Sequence, residues 1–547
     1  MERKLINYMK SKWQSFAIVL IGLYFILIAY IFTPYFIEKY IFPGMVLNKS
    51  LANIAQNLRL AAFIAGFFII LFGIISAKWP ASFSRLKDQG YRGILGYRSI
   101  FIIISSFIII FVSMHIIVKM VRRNIEFDVT PFWPISNVIP QIPDFAHLLA
   151  AAAILIIFYF FIKYLPRLHF RLLFIILFGI FLVMGTNMLQ SQGWEGKTLL
   201  KNNGWEAGFV VPIIGSSKIN TEYYNDAINI TDMVYFIHTY EQMQPYLLLH
   251  ARTHPPGPLL TINLLLRILR NPILVSIVMG IISVSFSTFF LYKILSIEFK
   301  EDFSKYITFL FILIPSIQVF YVASIDALIS SFLLGSLYFY LKQRSVINII
   351  GSVFFLFLSS FLTFAFVFIL PIMVGYEFLK RKDFLRSGYI ISGLALIYAI
   401  IYLIFNFNYI NSFMIASVSE NPYGFMLFSE PATYLFTRIE GIFEIILYFG
   451  PFLTLFMVMG LHRQERSKSI LLTITWLAIF TLFAMLATGA FRTGETARVA
   501  LFIYPFLMFP VASCLQKFNI SLKERNILMY LVFAQTILMQ TFGFYYW

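Results

Sequence analysis

The chain has 547 residues, 60% of them hydrophobic, 19% aromatic and 12% charged, with a mean hydropathy of +0.82. Soluble domains carry about 25% charged residues, so a water-soluble globular protein is excluded and the bilayer is the expected solvent. The net charge of +17 does not point to nucleic acid, because the basic residues fall in short clusters between apolar runs, as loop anchors do.

In chain order, the basic N-terminus leads into the apolar run Ser15–Phe32. This run is too long for a cleaved signal peptide and lacks a small-residue cleavage site, so a retained first span is expected. Leu58–Ala77, Ser99–Val118 and Ser387–Phe405 are further runs close to the roughly 20 residues that cross about 30 Å of hydrocarbon. Helices are the expected spanning form, because they satisfy their backbone groups internally, and the alternating pattern of membrane barrels is absent. The fold class expected is an all-α polytopic membrane protein of about 13–15 spans. Residues 1–188 carry the N-terminal spans, 189–256 a large external loop and 257–547 further spans with outward segments at Asn406–Glu440 and Thr488–Arg498. Between Ser324 and Phe378 broken or short helices are expected.

Basic short loops stay cytoplasmic, so Arg3, Lys4, Lys10 and Lys12 place the N-terminus inside. The connections Lys78–Arg98, Lys163–Arg171, Lys293–Lys305, Lys342–Arg344, Lys380–Arg386, His462–Lys468 and Lys517–Arg525 then also fall inside. Lys119, Arg122 and Arg123 run against this pattern. Ile-, Phe-, Lys- and Asn-rich usage suggests a bacterial plasma membrane. Cys514 is the only cysteine, which removes an intrachain disulfide or a Cys-based metal site.

The polar stretch between Thr186 and Pro256 carries Trp194, Glu195, Trp205, Glu206, Glu222, Asp226, Asp232, His238, His250 and His254. A connection this long is usually functional. Within E-Y-Y-N-D-A-I-N-I-T-D, Glu222 to Asp232, a short helix would put Glu222, Asp226 and Asn229 on one face; a solvated loop helix fits the same pattern. The following T-H-P-P-G-P, Thr253 to Pro258, opens a new helix, since proline suits the first turn. Such an N-terminus attracts anions, but the prolines remove amide donors, so His254 or Arg252 would have to assist; a rigid surface turn is the plainer alternative. The aromatic Tyr223, Tyr224, Trp194 and Trp205 can stack on a sugar or anchor at the interface. His238, His250 and His254 invite a metal, but the prolines beside His254 break the helix that would align them, and neither metal nor cofactor is expected.

Two later features complete the pattern. I-P-S-I-Q-V-F-Y-V-A-S-I-D follows the basic turn Lys293–Lys305 and places Asp326 beyond Pro315, as a site-lining or a snorkelling carboxylate. F-R-T-G-E-T-A-R, Phe491 to Arg498, offers Arg492, Glu495 and Arg498 at a helix start. Glu495 and Arg498 can pair with each other, or an arginine can grip phosphate through its planar fork.

In this order and spacing, the motifs of Thr221 to Leu341 resemble the integral-membrane glycosyltransferases of GT-C fold, the group that includes protein O-mannosyltransferases and lipid A aminoarabinose transferases. There an acidic residue of the first large external loop precedes a His-Pro-Pro or Lys-Pro-Pro turn, as Asp226 precedes His254. A basic turn, a proline-ended span and an aspartate follow, as Lys293–Lys305, Pro315 and Asp326 do here. About five spans precede the acidic loop, where the group usually has one, which implies an N-terminal extension or a divergent subfamily. The resemblance implies transfer of a sugar, with inversion, from a polyprenyl-phosphate donor to a glycan, lipid or protein acceptor at the external face. Asp226 would be the catalytic base, and Glu222, His254, Asp326, Arg492, Glu495 and Arg498 would bind substrate. A transporter or flippase of lipid-linked saccharides is the alternative, although no inverted repeat is evident; a saccharide polymerase or ligase would carry paired arginines in its main loop.

Overall fold

The computed structural model describes residues 2–31, 33, 59–60, 62–71, 73–74, 95–121, 135–141, 143–165, 171–190, 201–214, 223–420, 425–462, 469–489 and 494–545. Among these the only strands are Val138–Pro140 and Gly543–Tyr545, paired antiparallel with Val138 opposite Tyr545. Among the described residues five helices are long and apolar enough to cross a membrane: Ser99–Val118, Phe145–Tyr164, Pro272–Leu295, Leu385–Phe405 and Ile470–Ala487. A sixth span is available if the pair Pro431–Phe449 and Pro451–His462, bent by 108°, counts as one. Seven shorter apolar helices accompany them, from Ser15–Ile31 to Leu501–Lys517. The protein is therefore an all-α polytopic membrane protein.

The chain divides into two compact units, Met1–Ser136 with Ser521–Leu528, and Asn137–Ile520 with Met529–Trp547. In the first, helix Glu2–Ile31 meets the apolar segment Ala62–Leu71 at glycines. A Cβ at Gly22 would lie 2.8 Å from the Gly66 carbonyl, and one at Gly66 2.8 Å from that of Gly22, so only small residues permit this approach. Tyr24 of the same helix donates to Ile109 O, 3.2 Å away on helix Tyr97–Val121.

Helices Phe145–Tyr164 and Leu172–Asn187, grouped by sequence with the N-terminal spans, belong to the second unit. Phe158 is fully buried against Phe533 and Phe309, with ring centroids 4.3 and 6.3 Å away. Within the stretch Ser324–Phe378, where broken or short helices are expected from sequence, a 3-10 turn Phe364–Phe368 separates Val346–Leu362 from the short helix Ile369–Tyr376. A further break, outside that expected stretch, lies between Glu301–Ile312 and Pro315–Phe320. Backbone freed by a break must find partners inside the protein, and buried amide and hydroxyl side chains supply them here. Gln318 Nε2 donates to Ile312 O at 2.8 Å and Thr536 Oγ1 to Leu313 O at 2.7 Å. Asn187 and Gln540 both donate to Gln318 O, at 2.6 and 3.0 Å. Hydroxyls link the neighbouring helices: Ser287 lies 2.7 Å from Ser331, and Ser336 is 3.1 Å from Ser352.

Two charged groups cap helices across the unit. Arg386, 1% exposed, donates to Lys342 O and Phe339 O at 2.5 and 2.8 Å, closing the C-terminus of Ile325–Leu341. Glu298 accepts from Ser469 Oγ at 2.8 Å and from the amides of Ile470 and Leu471, the first turn of Ile470–Ala487. Glu298→Ala strips these acceptors from the helix start and is expected to cost about 0.5–2 kcal/mol. A lowered thermal midpoint in detergent, restored by Glu298→Gln, is the readout.

Candidate functional site

Asp226 stands on the one-turn helix Tyr223–Ala227. That helix is shorter than the sequence suggested: it ends at Ala227, so Asn229 falls beyond it in a turn, its amide donating to Asn225 O at 2.8 Å. Helix Gly257–Leu269 supplies donors to the last carbonyl of this helix and to the turn that follows it. Asn263 donates to Ala227 O and Ile230 O at 2.8 and 2.9 Å, and Arg267 reaches Ile230 O and Thr231 O. Glu222 lies outside the described residues, as do Trp194 and Glu195. Asp226 Oδ2 accepts from the Leu248 amide at 2.9 Å. Partial burial nevertheless raises its pKa above the ordinary carboxylate value, because desolvation disfavours the charged form. Asp232 does different work: it caps helix Met233–Met243 by accepting from the Val234 and Tyr235 amides at 2.8 and 3.1 Å.

The histidine turn is built on the buried Tyr240. Its hydroxyl donates to His254 O at 2.6 Å, with Ala251 O at 3.1 Å, and the nearby Asp226 charge helps hold its pKa well above the usual phenol value, after burial itself. Helix Gly257–Leu269 then starts with Pro256 as its cap and Pro258 in its first turn, where the prolines led us to expect it. Residues Pro255 to Pro258 are buried, so the open part of the turn is Thr253 and His254. Gly257 is required by close approach: a Cβ there would sit 2.0 Å from Phe361 O. Gly257→Ala is expected to cost about 1–3 kcal/mol through overpacking, read as a lowered thermal midpoint.

His254 donates its Nδ1 proton to His250 O at 2.8 Å, which leaves Nε2 as the acceptor of the neutral ring. Burial, then the neighbouring His250 and Arg498, lower its pKa to about 4. His254 is thus neutral at pH 7 and cannot supply positive charge to a phosphate, contrary to one sequence expectation; its Nε2 suits a hydroxyl donor. The Tyr223 ring lies edge-on, 5.5 Å from His254 and 5.9 Å from His250. His238 is exposed and packs at 5.8 Å on Phe405 instead. Among the described residues no group of three or more His, Cys, Asp or Glu is arranged to hold a metal ion.

Positive charge comes from the far end of the chain. Arg498, on the short helix Thr496–Val499, binds Glu495 Oε2 through Nη2 at 2.8 Å, and its Nε lies 3.9 Å from Asp326 Oδ2. All three are largely shielded, with side-chain exposures of 11%, 26% and 20% for Arg498, Glu495 and Asp326. Asp326 occupies the first turn of Ile325–Leu341, where the helix dipole favours a carboxylate. Ala323, three residues before it, has φ 61°, a left-handed conformation that costs an L-residue about 1–2 kcal/mol. Arg492 lies outside the described residues.

Sequence reasoning missed the groups that hold this turn. Helix Pro431–Phe449 carries Glu440 and Glu444, 0% and 1% exposed. Glu444 Oε2 accepts from the Ala497 amide at 3.1 Å, and Gly441 lets Thr496 approach. The i, i+4 spacing of two carboxylates in an apolar run was the available signal; it was obscured because Glu440 was taken as the end of an outward segment. Glu444→Leu leaves the Ala497 amide without this acceptor, which costs about 1–3 kcal/mol when such a donor stays buried. Glu444→Gln keeps an acceptor oxygen, so thermal melts should rank wild type and Gln well above Leu.

One segment thus carries Asp226, Tyr223, His250 and His254, with Tyr223 against both histidines, and two others bring Asp326, Glu495 and Arg498 together. The charge of Arg498 is the last of the causes that lower the His254 pKa, after burial and His250. Neither any family model nor any curated protein matches this chain.

Proposed function

We propose that this protein is a membrane glycosyltransferase of GT-C type that moves a sugar from a polyprenyl-phosphate donor to an acceptor hydroxyl at the external face of a bacterial plasma membrane. The observation that supports it most is the shielded arginine Arg498, held by Glu495 and Asp326, whose charge contributes, after burial and His250, to the lowered pKa of His254 in the segment that carries Asp226. In this reading the donor phosphate binds the guanidinium, whose charge Glu495 and Asp326 orient. The acceptor oxygen attacks the anomeric carbon as the bond from that carbon to the phosphate oxygen breaks. The bonding pair leaves on the polyprenyl phosphate, and the hydroxyl proton passes to Asp226. His254 Nε2 accepts from a substrate hydroxyl, and Tyr223 offers an aromatic face. The acceptor is a glycan, lipid or protein, and no cofactor takes part.

The raised pKa of Asp226 sets the pH dependence. A base works deprotonated, so kcat/KM rises with pH through the Asp226 ionisation, above the ordinary 3.8, and then levels. His254 changes charge at about 4, near the foot of the same limb, so the limb is assigned to Asp226 by its loss in Asp226→Asn. A pH–rate profile checks this, and a limb at or below the ordinary aspartate value would contradict the assignment.

One observation favours the transporter reading instead. Glu440 and Glu444 are buried within a helix pair bent by 108°, and discontinuous helices with buried charge are where transporters bind. The two readings separate in nanodiscs and proteoliposomes with a panel of radiolabelled polyprenyl-phosphate sugars. Release or transfer of label from the lipid supports the transferase. An intact labelled lipid-linked glycan crossing the bilayer, with no release from any donor, supports the flippase.

A further inference from the structure

We infer that helix Tyr409–Glu420 lies in the membrane–water interface, with Ile410, Met414 and Val418 set into the acyl-chain boundary, as a lipid-surface anchor for the segment that carries His250 and His254.

The helix is inside out for water. Ser412 and Ala416, 0% and 4% exposed, face the protein, whereas Ile410, Met414 and Val418 are 74%, 55% and 69% exposed. Positions four apart share a face, so these three form one apolar stripe opposite a small, polar seam. Water is a poor solvent for such a stripe and lipid a good one. Continuity with the neighbouring span identifies the lipid as bilayer. Helix Leu385–Phe405 exposes Ile400, Leu403 and Ile404, the last two at 81% and 59%. The chain then turns at Asn406, φ 54°, and enters Tyr409–Glu420 within a few residues. The helix contains no lysine or arginine, so its affinity rests on apolar area and not on anionic headgroups.

The polar seam connects this anchor to the candidate site. Gln244, fully buried, accepts from Ser412 Oγ at 2.8 Å and donates to Ser412 O and Arg252 O at 3.1 and 2.9 Å. Glu241 accepts from the Asn408 amide at 2.5 Å and from the side chain of Asn411. The depth of the helix in the interface thereby sets the height of the Arg252–His254 turn, whatever chemistry that turn performs.

The test uses the full chain in neutral phosphatidylcholine nanodiscs. Cys514, the only cysteine, is buried, and Cys514→Ser gives a background for Val418→Cys and, as a second site on the stripe, Ile410→Cys, each carrying an environment-sensitive fluorophore. Asp302→Cys, at a side chain 87% exposed, is the water reference and Leu403→Cys the span reference. Both stripe labels should be quenched most by a lipid quencher just below the headgroup, and should lose most of the iodide quenching that the Asp302 label shows. Iodide quenching equal to that at Asp302 would overturn the anchor, and so would strongest quenching by a quencher at the chain ends.

Discussion

Asp226→Asn is expected to lower turnover about 10²–10⁴-fold, the usual worth of a positioned base, with the donor KM and the thermal midpoint close to wild type. The asparagine keeps an oxygen for the Leu248 amide, from which Asp226 accepts at 2.9 Å, so the fold has no reason to change. What disappears is the group that takes the proton. Residual activity of the variant should also lose the acid limb of the pH profile, since that limb belongs to the Asp226 ionisation. Asp232→Asn is the control: asparagine is as good a helix cap as aspartate, and turnover should stay near normal. Near-normal turnover in Asp226→Asn, with loss in Asp232→Asn or Glu222→Gln, would mean that the base is misassigned.

Arg498→Ala should cost about 2–5 kcal/mol in kcat/KM for the donor, the range for truncating one partner of a buried hydrogen-bonded charge pair, a factor of about 30 or more. The change leaves Glu495 and Asp326 without the guanidinium that they flank. Some of that cost can appear as lost stability, so Arg498→Lys is the sharper variant. Lysine keeps the charge but not the planar fork, so a role in phosphate recognition shows as a raised donor KM at nearly unchanged thermal midpoint. Equal donor KM in wild type and Arg498→Lys would reduce Arg498 to a structural pair with Glu495.

Much of the fold was legible because apolar length and proline act locally. Ser99–Val118 is a span in sequence and structure alike, Ser387–Phe405 lies inside Leu385–Phe405, and the prolines of the Thr253–Pro258 motif start a helix at Gly257. Leu58–Ala77 is described only in part, through residues 59–60, 62–71 and 73–74. Other features depend on partners remote in the chain. Gln318 bonds residues 131 and 222 positions away, and no local pattern announces such a network. The carbonyls at and beyond the end of the Tyr223–Ala227 helix are taken by Asn263 and Arg267, from a helix 36 and 37 positions further on. His254 was a plausible phosphate ligand by residue type; its neutrality follows from burial first, then from His250, with Arg498 a lesser cause, and burial is set by the fold. In helix Tyr409–Glu420 the inverted polarity becomes visible once Gln244 is seen to occupy the Ser412 side.

The central claim is that the Asp226 segment and the Arg498 turn form one site for a lipid-linked phosphate. It is tested most directly by photo-crosslinking with a polyprenyl phosphate that carries a photoreactive group next to the phosphate, followed by peptide mapping. The account predicts adducts on both the Tyr223–His254 and the Glu495–Val499 segments, competed away together by unlabelled polyprenyl phosphate and weakened together in Arg498→Lys. Adducts confined to one of these segments, or centred on the buried Glu440–Glu444 face of helix Pro431–Phe449, would contradict it.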